Sequence, residues 1–126
     1  TSVASEEKFF DFGSISMAAG KVRHTYLVKN TTDQTVTIDK LYTSCMCTTA
    51  TLINNGEKTG PFGMPGHGFS PSINEVIAPR QTVEIETEFD PAAHGPAGVG
   101  LIERSVTIEY EGGEQTELNF SAQVTP

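Results

Sequence analysis

The residues best suited to chemistry in this chain are soft donors. Cys45 and Cys47 stand two residues apart in the run Thr43-Ser44-Cys45-Met46-Cys47-Thr48. Thiolates at i and i+2 suit a soft metal, because one turn aims both sulfurs at a single ion. The same spacing admits a disulfide, whose Cα atoms must lie within about 6.8 Å, and it admits two buried thiols that pack as small apolar side chains. Alternation places both cysteines on one side of the chain, so all three readings stand. A Cys-x-Cys pair does not choose between them alone. Further donors lie in two Gly/Pro-rich stretches. Pro61-Phe62-Gly63-Met64-Pro65-Gly66-His67-Gly68 carries Met64 and His67, and Pro91-Ala92-Ala93-His94-Gly95-Pro96 carries His94. Glycine gives the backbone room to wrap around an ion, and proline stiffens it. Cys45, Cys47, His67, His94 and Met64 therefore form the candidate metal set. Thiolate and thioether favour Cu(I), whereas the two cysteines with two histidines also satisfy tetrahedral zinc. His24 shares the parity of Val22, Tyr26 and Val28 and is expected to be a hydrogen-bonded core histidine. Met17 and Met46 are expected to pack, with Met46 also placed to shield a site from water.

Short segments of alternating apolar and polar residues must position these donors. They run over Phe9–Phe12, Lys21–Asn30, Thr35–Tyr42, Thr48–Ile53, Gln81–Asp90, Glu103–Tyr110 and Thr116–Val124. The clearest is Gln81–Asp90, where Val83, Ile85, Thr87 and Phe89 alternate with Glu84, Glu86 and Glu88. Glu111-Gly112-Gly113-Glu114 reads as a hairpin turn. No window shows a helical period. The pattern predicts a single all-β domain over residues 1–126, a sandwich of about seven strands interrupted by a long Gly/Pro-rich insertion loop at 54–74. In an up-and-down count, the loops after the first, third and fifth strands share one end. That places His94 with the two thiols.

Composition excludes several functions. The 126 residues hold 16 acidic against 8 basic side chains, for a formal charge of −8. Nucleic acid and anionic membrane both need a basic surface, so neither is expected as a partner. No apolar run approaches the ~20 residues that span a bilayer, and the domain itself is expected to make no membrane contact. Thr1–Lys8 is short and polar, without a signal-peptide pattern, although a removed leader would leave such a start. Two cysteines cannot form a disulfide framework. The sequence shows no H-E-x-x-H, G-x-S-x-G or P-loop. A dithiol redox enzyme ranks last, since no base or helix N-terminus is evident beside the thiols to activate one. A non-enzymatic domain is the expectation.

Phe10-Asp11-Phe12-Gly13, His24-Thr25, Val28-Lys29-Asn30, Ser44-Cys45-x-Cys47-Thr48, Ile77-Ala78-Pro79 and Glu88-Phe89-Asp90 resemble a widespread bacterial family. It is catalogued as a domain of unknown function and is related to Hydin-like immunoglobulin-type domains. The resemblance runs from about Phe9 to Val124. It implies an immunoglobulin-like antiparallel β-sandwich, exported to the periplasm or cell surface with any leader or anchor outside this chain. The insertion at 54–74 departs from the short form of the family, and Arg80 stands where a glycine is usual. A looser likeness links the Cys-x-Cys turn to the copper-delivery proteins of cytochrome oxidase assembly, which are also immunoglobulin-like. These likenesses raise copper above zinc and add the expectation of a protein partner for metal transfer. The competing expectation is a structural or protein-interaction domain in which the cysteine pair is incidental.

Overall fold

The clearest alternation in the sequence becomes the best-ordered burial. From Thr82 to Phe89, Val83, Ile85, Thr87 and Phe89 are buried, and the residues between them face outward. A computed structural model describes residues 3–5, 7–63 and 72–126. Among these the strands are β1 (Val3–Ser5), β2 (Phe9–Ser16), β3 (Val22–Asn30), β4 (Val36–Thr43), β5 (Thr48–Asn54), β6 (Glu57–Phe62), β7 (Glu75–Ile77), β8 (Thr82–Phe89), β9 (Gly100–Tyr110) and β10 (Gln115–Thr125). They form two five-stranded sheets, in the orders β1-β3-β8-β5-β6 and β2-β10-β9-β4-β7. The fold is the expected immunoglobulin-like all-β sandwich, with ten strands in place of about seven. Among the described residues, helical geometry is confined to two short 3-10 turns, Met17–Ala19 and Gly95–Gly98.

Two details differ from the sequence reading. The insertion at 54–74 is not wholly a loop, because β6 pairs with β5 across Asn54-Asn55-Gly56-Glu57. Asn55 and Gly56 both take positive φ, 53° and 85°, as a two-residue hairpin requires. The sandwich is also not purely antiparallel. β2 lies parallel to β10, with Phe10 opposite Phe120. The cause is topological: β2 feeds β3 across to the other sheet instead of folding back as a hairpin.

The core has two lobes. The larger joins Tyr26, Val28, Ile38, Leu52, Ile85, Ile108 and Leu118. Burial of each such side chain contributes about 1.5–3 kcal/mol, so the sandwich has a foundation independent of its loops. The smaller lobe joins Phe89, Phe120, Ala122 and Val124 to Cys45 and Cys47, and it lies beneath the candidate site.

Candidate metal site

Three connections cross between the sheets at one end of the sandwich: β2 to β3, β4 to β5 and β8 to β9. Cys45 and Cys47 occupy the second and His94 the third. His94 therefore lies at the thiol end, as the strand count placed it. Its Nε2 is 3.2 Å from Cys45 Sγ, and a ligand atom from each of Cys45, Cys47 and His94 lies within 4.8 Å of the others. The two sulfurs are at bonding distance and form a disulfide, with Cα atoms 5.2 Å apart. Of the three readings of the pair, the structure therefore presents the disulfide. Cys45 and Cys47 are 8% and 4% exposed, whereas His94 faces solvent.

Backbone hydrogen bonds fix this geometry. Thr48 N–H donates to Cys45 O (3.1 Å) and closes the turn. The Thr43 hydroxyl lies 2.9 Å from Cys45 O and 2.8 Å from Thr48 O, a shared donor bracing the turn from within. Asp90 N–H donates to Cys47 O (2.9 Å), which ties the cysteine turn to the loop that carries His94. Asp90 also opens that loop, accepting the Ala92 N–H on Oδ1 at 2.9 Å. Gly98 leaves room for the histidine, since a Cβ there would stand 3.3 Å from His94 Cβ. Cys45 Sγ accepts the Cys47 N–H at 3.3 Å, and Cys47 Sγ sits 3.4 Å from Thr48 Oγ1. Both sulfurs thus have a polar neighbour within the turn.

Thr43, Thr48 and Asp90 lie in segments the sequence singles out but are not among its candidate site residues. Asp90-Pro91 is a turn-opening pair, which could have flagged the start of the loop. Nothing in the sequence reveals that Asp90 reaches Cys47.

The remaining expectations divide. Met64 and His67 lie outside the described residues. Met46 does not pack; it is 64% exposed, because inward-facing neighbours on both sides turn it outward. Met17 does pack, partly buried against the cysteine lobe. His24 is part-buried, stacked on Phe10 with centroids 3.7 Å apart, and its Nε2 meets Glu7 Oε1 at 2.5 Å. It is a structural histidine, outside the group that Cys45, Cys47 and His94 form. The ground for ranking dithiol chemistry last is overturned, because His94 sets a base directly beside Cys45.

Polar and apolar surroundings differ sharply at this end. Val99 and Leu101 are 44% and 70% exposed, and Met17, Ala18, Pro96 and Val99 line an apolar groove beside the histidine loop. On the outer face of β8, the hydrogen bond from Arg23 (2.8 Å) holds the Glu88 carboxyl below the usual carboxylate range.

Residues 3–61 match a family model described as "Protein of unknown function (DUF1573)". A search of curated proteins returns no match. Among solved structures, the chain is similar to a protein of unknown function from Porphyromonas gingivalis W83 (11% identity, 96% of this chain and 46% of that one, TM-score 0.66). It is also similar to a PapD-like domain of human CEP192 (12% identity, 99% and 86%, TM-score 0.61). A third is the secreted serine protease VesC from Vibrio cholerae (10% identity, 98% and 24%, TM-score 0.58). The chain spans less than half of the Porphyromonas protein. At these identities the likeness establishes the fold alone, an immunoglobulin-like sandwich, and residues 3–61 are similar to a family of unknown function.

Proposed function

We propose that this domain binds a soft metal ion, Cu(I) by preference, through the reduced thiolates of Cys45 and Cys47 and the imidazole of His94. The observation that carries the reading is the convergence of three ligand atoms within 4.8 Å from two separate loops. Ligands bound at about 2.0–2.3 Å around one ion stand ~3.5 Å apart, so the three atoms need only small side-chain rotations to share it. Thiolates are what Cu(I) selects. Cu(I) is content with two or three ligands, whereas structural zinc takes four. His67 and Met64 are the candidates for a further ligand, and with His67 the set would also suit zinc. The likeness of the Cys-x-Cys turn to copper-delivery proteins supports the same choice.

The domain acts in this reading as a non-catalytic carrier. Exposed Met46, Val99 and Leu101 provide an apolar landing surface at the metal end, which suits transfer to or from another protein. A cysteine pair that rests as a disulfide suits an oxidising compartment, hence an exported domain. The test is competition for Cu(I) between the fully reduced protein and a chromogenic Cu(I) chelator, with elemental analysis of the product. One Cu(I) per chain, held against the chelator, is expected. Absence of uptake overturns the reading, and preferential retention of zinc moves it to the four-ligand alternative.

A further inference from the structure

We propose that Cys45 and Cys47 are an exchangeable dithiol/disulfide couple whose disulfide form shuts the metal site, so that metal binding and oxidation exclude one another. The proposal rests on the metal reading above and adds its regulation.

Stability does not explain the bond. A cross-link stabilises chiefly by restricting the unfolded chain, and the effect grows with the loop it closes. Cysteines two residues apart close almost the smallest loop possible. The turn is also held without it, by Thr48 N–H to Cys45 O, by the Thr43 hydroxyl and by Asp90 N–H to Cys47 O. Reduction therefore leaves the turn in place, and the two sulfurs move apart to non-bonded contact while remaining next to His94. Ligation, by contrast, depends wholly on the redox state, because the thiolate is the ligand and a disulfide sulfur has no such charge to give. One pair of atoms thus has two competing uses. Either the sulfurs bond to each other or they bond the metal.

The oxidant required is a disulfide, on a small molecule or on a protein. The Cys45 thiolate attacks one sulfur of that disulfide, forming a mixed disulfide and expelling the first thiolate. The Cys47 thiolate then attacks Cys45 Sγ, closing the Cys45–Cys47 bond and expelling the second. Two electrons pass from the protein to the oxidant, and the two protons of the dithiol end on the two released thiols. Cys45 is the entry point. It is the less buried residue of the two and its Sγ lies against the solvent-exposed His94, whereas Cys47 Sγ turns towards Thr48 Oγ1.

The experiment treats reduced protein with oxidised glutathione, removes the reagent, counts thiols by alkylation and mass, and measures Cu(I) uptake against the chelator before and after re-reduction. The expected result is loss of both thiols, at least a hundredfold weaker Cu(I) retention, and full recovery on reduction with circular dichroism unchanged throughout. In Cys47→Ser the glutathione adduct should persist on Cys45, whereas Cys45→Ser should accumulate it at least several-fold more slowly. A disulfide form that binds Cu(I) as tightly as the reduced form overturns the gate alone. Thiols that survive excess oxidised glutathione overturn the couple, and equal adduct rates in the two variants overturn the assignment of Cys45. Reduced protein that takes up no Cu(I) overturns the metal reading, and the gate with it.

Discussion

The two ends of the sandwich hold their loops by opposite means. At the end remote from the cysteines, one fully buried side chain, Asn30, organises the connections. Its Nδ2 lies within hydrogen-bond reach of the carbonyls of Gln34 (2.7 Å), Ile77 (3.3 Å) and Ala78 (3.2 Å), and its Oδ1 accepts from Thr32 N–H and Oγ1. Every polar atom of that amide is used inside the protein. At the other end the backbone N–H groups of Thr48 and Asp90, with the Thr43 hydroxyl, do the holding. The side chains of Cys45, Cys47 and His94 are brought together, and their other polar contacts stay within the same turn, at the Cys47 N–H and Thr48 Oγ1. Saturated polar groups mark a structural joint, and clustered donors spared from that duty mark a site for chemistry.

The largest way to break the contrast is Asn30→Ala. It strips the Thr32 N–H of its acceptor and the carbonyls of Gln34, Ile77 and Ala78 of one donor each, although Gln34 O keeps the Thr32 hydroxyl and Ala78 O keeps the Gln81 N–H. Each group left unsatisfied costs about 1–3 kcal/mol. We expect a total loss of ~3 kcal/mol in denaturant unfolding, with Cu(I) affinity unchanged in the protein that remains folded. A loss below 1 kcal/mol would show that water replaces the amide.

Alkali should also act on the structural end. Burial pushes the Tyr110 hydroxyl up to about 12, with the hydrogen bond to Thr116 opposing it. A group whose pKa is higher when folded stabilises the fold below its unfolded value, near 10, and loses that contribution as pH rises towards the folded value. Tyr26 shifts in the same direction, chiefly through burial. Unfolding free energy should therefore fall by about 2 kcal/mol or more between pH 9 and 11.5, and Tyr110→Phe should flatten part of that slope.

The double change Cys45→Ser plus Cys47→Ser should cost about 1 kcal/mol or less, because the closed loop is minimal and the turn is braced independently. It should abolish Cu(I) retention. Unfolding of this variant would recast the pair as a structural element like Asn30.

The smallest effect concerns Arg80, which sits at φ 64° in the left-handed region. Arg80→Gly should gain about 0.5–1 kcal/mol from relief of that conformation. The lost ion pair with Asp33 (2.7 Å), exposed on both sides, is worth little. A destabilised variant would show that this pair matters more than the backbone.

Much of this was legible in the sequence. Period-two alternation located all seven expected strands, because each buries one face. The strand count then put His94 beside Cys45 across 49 residues. Short edge strands were not legible: β1 and β7 have three residues each, too few for alternation to register. The β5–β6 hairpin was readable from Asn55-Gly56 but lay hidden in an apparent loop, since β6 includes Gly60 and Pro61. The parallel β2–β10 pairing escaped because pairing direction leaves no mark on a single strand. At the site, residue types revealed the donors, whereas the backbone link from Asp90 to Cys47 depends on how two distant loops meet.

The central claim is that Cys45, Cys47 and His94 act as one metal site, and X-ray absorption at the copper edge of the reduced, Cu(I)-loaded protein tests it most directly. The account predicts Cu(I) bound by two sulfur scatterers near ~2.3 Å and one imidazole near ~2.0 Å, with the imidazole signal lost in His94→Ala and the sulfur signal lost in the double serine variant. A copper environment of oxygen and nitrogen alone, unchanged in both variants, would contradict it.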